Sequence, residues 1–147
     1  MTDRKEDPYS PRPLAKWFWA AAAGSLLFMM IGCGGYLVDV MTVPEDIPLE
    51  RRALYAARPW WQVAAYATAV WVGLAGAVLL LMRRKLAEPV LLLSLVAAVL
   101  TFLPYAVVPG VRDNLTTGDI AAAIIVLAIT WTIYGFARHS RQRGWLA

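Results

Sequence analysis

Cysteine, histidine and charge are all scarce in this chain. Cys33 is the only cysteine, so there is no Cys-x-x-Cys pair. That excludes an intramolecular thiol–disulfide oxidoreductase and a disulfide-stapled secreted domain. His139 is the only histidine. Bis-imidazole haem ligation needs two, and structural zinc sites need clustered Cys or His. No cofactor, metal or nucleic-acid partner is expected. Asp, Glu, Lys and Arg together make up 16% of the 147 residues, and four stretches contain none of them. These are Trp17–Val38, Pro59–Met82, Pro89–Val111 and Ile120–Ala137, of 22, 24, 23 and 18 residues. Such gaps exclude an ordinary water-soluble globule and a disordered chain. They also leave no ionisable residue inside an apolar run. A proton antiporter of the small multidrug type, which wants a carboxylate there, is therefore disfavoured.

What fills the gaps is apolar: hydrophobic residues make up 60% of the chain, and mean hydropathy is +0.55. A helix rises about 1.5 Å per residue, so about 20 apolar residues cross a hydrocarbon core of about 30 Å. Helices satisfy their own backbone hydrogen bonds in lipid, where single strands cannot. The expected fold is all-α: an integral membrane bundle of four antiparallel helices, over residues 17–138. Residues 1–16, with Pro8, Pro11 and Pro13, read as a flexible tail, and residues 139–147 as a basic one.

Lys and Arg count ten in the two tails and the Arg83–Glu88 loop, against four in the other two loops. By the positive-inside rule both termini are cytoplasmic, and the net charge of +4 is a topology signal. Trp17 and Trp19 then fall at the inner edge and Trp60 and Trp61 at the outer edge, where amphipathic rings anchor.

The segment ends carry their own signals. Thr42-Val43-Pro44-Glu45 has capping-box spacing and opens a short outer amphipathic helix over about 44–57. Its apolar side is expected to hold Leu49, Ala53, Ala56 and Ala57, covering the bundle mouth; a lid over a ligand site is the alternative. Pro104 removes a bond to the Leu100 carbonyl and should kink the third span, which Pro109-Gly110 then stops. Thr116, Thr117 and Gly118-Asp119 are start signals for the fourth. Asp39 reads as a solvated end charge, with pairing to Arg58 or Arg112 as the alternative. Met30-Ile31-Gly32-Cys33 faintly resembles a lipoprotein cleavage box, but the apolar run of 22 residues exceeds a signal h-region.

Small residues recur at helical spacing. Ala65, Ala69, Gly73 and Ala77 do so in the second span, and Ala20, Gly24 and Gly32 punctuate the first. Such faces let backbones approach closely, within the bundle or against a partner or second copy. Trp71, Trp131, Tyr66, Tyr105, Gln62 and Thr101 are the candidates for a solute path. The alternative is that they fill gaps between helices, with hydroxyls bonding back to their own carbonyls. No nucleophile–base pair can be assembled from the spans, so no enzyme is expected.

Several motifs together resemble a family of small four-helix bacterial membrane proteins, seen in alphaproteobacteria and often labelled sugar transporters. They are Val40-Met41-Thr42, Arg52-Ala53-Leu54-Tyr55, Pro59-Trp60-Trp61, Val70-Trp71 with Gly73 and Gly76, Leu79–Met82 before Arg83-Arg84-Lys85, Ala87-Glu88-Pro89 and Ser94-Leu95. The likeness covers Trp17 to Val108. It implies solute transport in the inner membrane and brings no catalytic or coupling residue with it. The residues themselves point to a non-enzymatic, multi-pass inner-membrane protein with an accessory, assembly or self-associating role. A sugar-type transporter acting as an oligomer is the alternative.

Overall fold

A computed structural model describes residues 14–147; the expected flexible tail lies, up to residue 13, outside the described residues. The described residues form helices and no strand. In chain order these are α1 (Trp17–Met41), a 3-10 turn (Pro44–Asp46), α2 (Leu49–Ala57), α3 (Trp60–Leu81), α4 (Ala87–Phe102), α5 (Pro104–Val107), α6 (Pro109–Arg112) and α7 (Thr117–Gln142). Four helical segments are long and apolar enough to cross a membrane: Trp17–Met41, Trp60–Leu81, Ala87–Val107 and Thr117–Gln142.

Around the bundle the order of contact is α1, α3, α4, α7, with α3 against α4 the most extensive seam. Side chains fix which ends meet. Gln62 near the start of α3 donates to the Thr101 carbonyl near the end of α4, and Asp39 at the end of α1 pairs with Arg58 before α3. At the opposite end Arg141 of α7 meets Glu88 of α4 at 2.8 Å.

Small residues set the closeness of the α1–α3–α4 seams. A Cβ on Gly73 would lie 2.6 Å from both Met29 Sδ and Ser94 Oγ, and one on Gly76 2.8 Å from Leu91. Gly24, by contrast, has open space around it. Gly73→Val should therefore lower stability by about 1–3 kcal/mol through overpacking. Gly24→Ala should be neutral or stabilising by up to about 1 kcal/mol, from helix propensity alone. Reversible unfolding in mixed detergent–SDS micelles measures both; equal effects at the two positions would contradict this packing.

The apolar core lies at the Phe18 end. Phe18, Ala22, Met29, Ala77, Leu80, Leu91, Ile133 and Ala137 are buried there, together with Trp145 and Leu146. The C-terminal segment, expected as a basic tail from residue 139 onward, thus packs into the core through Trp145 and Leu146. Helix α7 runs on to Gln142, and Gly144 at φ +71° turns the chain back. Gly144 N–H bonds the Arg141 carbonyl and Trp145 N–H the Ser140 carbonyl, the paired bonds of a Schellman cap. His139 is half-buried with its ring 5.8 Å from that of Trp145.

Three other expectations are corrected. The helix expected over 44–57 begins only at Leu49, because Thr42 Oγ bonds back to the Val38 carbonyl instead of capping. Its buried residue is Leu54, while Leu49 is 77% exposed and Ala53 exposed. Ion pairs from Arg51 to Asp119 and from Arg58 to Asp39 set the roll of α2, overriding its weak apolar stripe. The third span breaks at Leu103 before Pro104, as expected, and again at Val108, but Pro109 opens a further turn rather than stopping the chain. At α7 the start signals act as expected: Thr116 and Asp119 form a complete capping box.

Candidate functional site

Opposite the packed core, the Asp39 end of the bundle holds a cavity of ≈ 420 Å³. That is the scale of a small-molecule site. Its wall is built by one face of each helix. Phe28, Gly32, Gly35 and Asp39 follow helical spacing on α1, and Gln62, Tyr66, Ala69 and Val70 on α3. Ser94, Ala98, Thr101 and Tyr105 do the same along α4 and α5, and Val126 and Thr130 on α7. Helix α2 contributes Arg51, Leu54 and Tyr55 at the mouth, so it does line the site.

The charged part of this wall is a closed cluster. Arg58 Nη1 and Nη2 donate to the two Asp39 oxygens at 3.1 and 3.0 Å, and the Tyr55 hydroxyl donates to Asp39 Oδ1 at 3.1 Å. The Arg58 guanidinium also lies 5.0 Å from the centre of the Tyr55 ring. Asp39 is thus not a solvated end charge; it is the acceptor that holds α2 and the start of α3 to α1. Burial pulls the Arg58 guanidinium down, but the Asp39 hydrogen bonds and charge lift it above its ordinary value. Burial, then the Asp39 charge, raises Tyr55 above the usual phenol range. Its neutral form, the donor to Asp39, therefore contributes stability that is fully present below that range. The contribution is lost only as pH climbs through the raised value.

Most other polar groups near the cavity are already satisfied. Thr101 and Thr130 bond back to carbonyls four residues earlier. Ser94 Oγ reaches across to the Ala69 carbonyl at 2.7 Å, and Cys33 Sγ to that of Val70. Gln62 Nε2 donates to the Thr101 carbonyl at 2.9 Å. Two cavity-lining residues keep a buried atom without a partner among the described residues: Arg58 through Nε and Gln62 through Oε1.

Of the six residues expected on a solute path, Gln62, Tyr66, Thr101 and Tyr105 come together in this cavity. Trp71 and Trp131 do not. Trp131 is 66% exposed on the outside of α7, and Trp71 is exposed on α3 with its ring edge-on to Tyr36. Both lie off the helix faces that line the cavity. Of the small residues, Ala69, Gly73 and Ala77 are buried within the chain and Ala65 and Gly32 are half-buried, while Gly24 is exposed. Arg58, Asp39, Tyr55, Ala98 and Val126 were not among the site residues expected from sequence. No groups of three or more His, Cys, Asp or Glu that could hold a metal occur among the described residues.

Met29 belongs both to the cavity wall and to the Phe18-end core, and Phe28 also borders a second groove between α1 and α7 with Trp17, Ala21, Gly24, Ile129 and Ile133. Comparison with known proteins adds no relative to this picture: no protein-family model, curated protein or solved structure matches the chain.

Proposed function

We propose that this is a non-enzymatic, multi-pass membrane protein that holds a small, mainly apolar molecule in the cavity at its Asp39 end. The four helices form an antiparallel bundle in a bacterial inner membrane, with both termini cytoplasmic. The excess of Lys and Arg on the terminal side supports that orientation and gives the cavity the outer half of the membrane. One observation carries the reading: a ≈ 420 Å³ cavity lined from every long helix lies beside a filled core. A cavity backed by a packed core suits binding and retention, as in an accessory protein that presents or stores its ligand. A sugar path would need the packed half to open. The cavity's acid and base are already tied to each other, which argues against proton-transfer chemistry there.

Native mass spectrometry of protein released from nanodiscs should detect one small molecule retained per chain, and liposomes carrying the protein should show no glucose uptake above protein-free liposomes. Bare protein in every preparation, or glucose flux abolished by Gln62→Leu, would contradict the proposal.

A further inference from the structure

We infer that the cavity is entered sideways from the bilayer, through a gap between α1 and α7, and that its occupant is one acyl chain of an ester-linked membrane lipid. This rests on the cavity being a small-molecule site and goes on to name the class and source of its ligand. Helix α1 packs on α3, α3 on α4 and α4 on α7, but α1 and α7 do not pack against each other. They meet at the Phe18 end through rings, with those of Trp17 and Phe18 at 5.4 and 5.5 Å from that of Phe136. Toward the Asp39 end the cavity wall comes out to the bundle surface. Ile31 lines the cavity and is 67% exposed, and Gly35, one turn further on, is exposed as well.

The route from water is the more obstructed one. Helix α2 is tied to both helices that flank the gap, by Tyr55 and Arg58 to Asp39 at the end of α1 and by Arg51 to Asp119 in the first turn of α7. It thus lies across the Asp39 end, with Leu54 buried beneath it. A molecule that partitions into lipid reaches the gap directly, whereas one dissolved in water has to displace α2.

Depth and polarity match a lipid chain in one leaflet. Phe28 and Asp39 are about 16 Å apart along α1, and half of a hydrocarbon core is about 15 Å. At the Phe28 end the wall is Met29, Val70 and Val126, with the Ser94 and Thr130 hydroxyls bonded to backbone carbonyls. At the Asp39 end it carries Tyr66 and Tyr105, whose hydroxyls make no hydrogen bond among the described residues. A Cβ on Gly35 would lie 3.2 Å from the Tyr66 hydroxyl, which sets that hydroxyl against the cavity face of α1, one turn below Asp39. Such hydroxyls donate to ester carbonyls, which a lipid carries where its chains begin. The charges at this end are already paired, Arg58 with Asp39 and Arg51 with Asp119, so a phosphate gains no net attraction and stays at the interface. At ≈ 420 Å³ the cavity is near the lower end of the range of about 300–1,000 Å³ for ligand sites, which suits one chain and not the whole lipid. A partner helix, about 10–12 Å across, would cover the gap and leave the space behind it empty.

The test places the protein in nanodiscs of phosphatidylethanolamine and phosphatidylglycerol, doped with a phosphatidylcholine that carries a diazirine in its acyl chain, and maps the photolabel residue by residue. Leu93, 54% exposed on α4 and away from the cavity, reports lipid outside the bundle. Ala98 and Thr130 line the cavity and are each 5% exposed, so only a chain inside it reaches them. The expected result is label on all three in the natural protein, and loss of the label at Ala98 and Thr130 in Val126→Trp with Leu93 unchanged. Should that variant not fold, label at Ala98 and Thr130 in the natural protein decides alone. Label confined to Leu93 while the purified protein retains some other small molecule overturns the lipid assignment and leaves the cavity reading standing. A disulfide between two copies of Ile31→Cys would give the gap to a second copy and overturn it too. Only if the protein retains no small molecule of any kind does the cavity reading fall as well.

Discussion

Asp39→Ala is expected to destabilise the protein by about 2–3 kcal/mol, among the largest effects of any single side chain outside the core. The Asp39 and Arg58 side chains are each less than a fifth exposed, and the pair is bidentate, with Tyr55 as a third donor. Removing one partner leaves the other as an uncompensated, partly buried charge, which costs more than the pair is worth. Helix α2 would lose its anchor to α1 as well. Arg51–Asp119 cannot replace it, because Arg51 is nearly half exposed and such pairs contribute about 0–1 kcal/mol. The signature is non-additivity. Asp39→Ala with Arg58→Leu should recover at least half of the loss, since the double variant buries no orphan charge. A double-mutant cycle in mixed micelles measures this; strictly additive losses would mean that the two groups act as independent solvated charges.

Trp145→Ala is expected to cost about 3 kcal/mol or more, the range for truncating a buried large aromatic. Trp145 is buried with its ring near Trp17, Phe18 and His139, at 5.7, 6.0 and 5.8 Å. It also fastens the backbone. Arg83 Nε donates to the Trp145 carbonyl at 2.8 Å, and the Ala147 N–H and the Lys85 N–H close two further bonds between the tail and the α3–α4 turn. Arg83 itself stands at φ +60°, where a non-glycine residue is strained by about 1–2 kcal/mol. The Schellman cap of α3, with Arg83 N–H on the Leu80 carbonyl and Arg84 N–H on that of Leu79, sets that conformation, and the docked tail braces the turn. The loss should therefore be accompanied by faster proteolysis at Arg83–Lys85 in Trp145→Ala. Unchanged stability and an unchanged cleavage pattern would mean that the tail contributes nothing to the bundle.

The four apolar helices are legible in the sequence because lipid imposes a length and a composition that few other structures share. The break at Pro104 and the Thr116–Asp119 cap are legible for equally local reasons: a missing N–H, and a side chain bonding its own backbone. What depends on contacts across the bundle is less so. The roll of α2 follows from Asp39 and Asp119, residues far away in the chain, and its own apolar stripe points the wrong way. The hook at Gly144 needed the knowledge that Phe18 and Ala137 leave a site for Trp145.

The site was partly readable. Gln62, Tyr66, Thr101 and Tyr105 stand out as polar or aromatic residues within apolar runs, and they converge. Trp71 and Trp131 stand out for the same reason and face outward. A pattern that separates the two groups was present. From Asp39 backwards and from Ser94 onwards, steps of three and four residues pick out Gly35, Gly32 and Phe28, and then Ala98, Thr101 and Tyr105. On α3 the same steps from Gln62 give Tyr66, Ala69 and Gly73, and on α7 the step from Val126 gives Thr130, passing over Trp71 and Trp131. Asp39 marks the cavity face of α1 because a carboxylate at a span's end turns toward the nearest cation, here Arg58.

The account depends most on the cavity being an occupied site. Val126→Trp puts an indole into it from α7, away from Arg58 and Gln62. Native mass spectrometry of this variant beside the natural protein is the direct measurement. The prediction is loss of the retained molecule with the unfolding midpoint equal or higher, since the ring fills space that the ligand would fill. A variant that folds and still retains the same molecule at the same occupancy would contradict it.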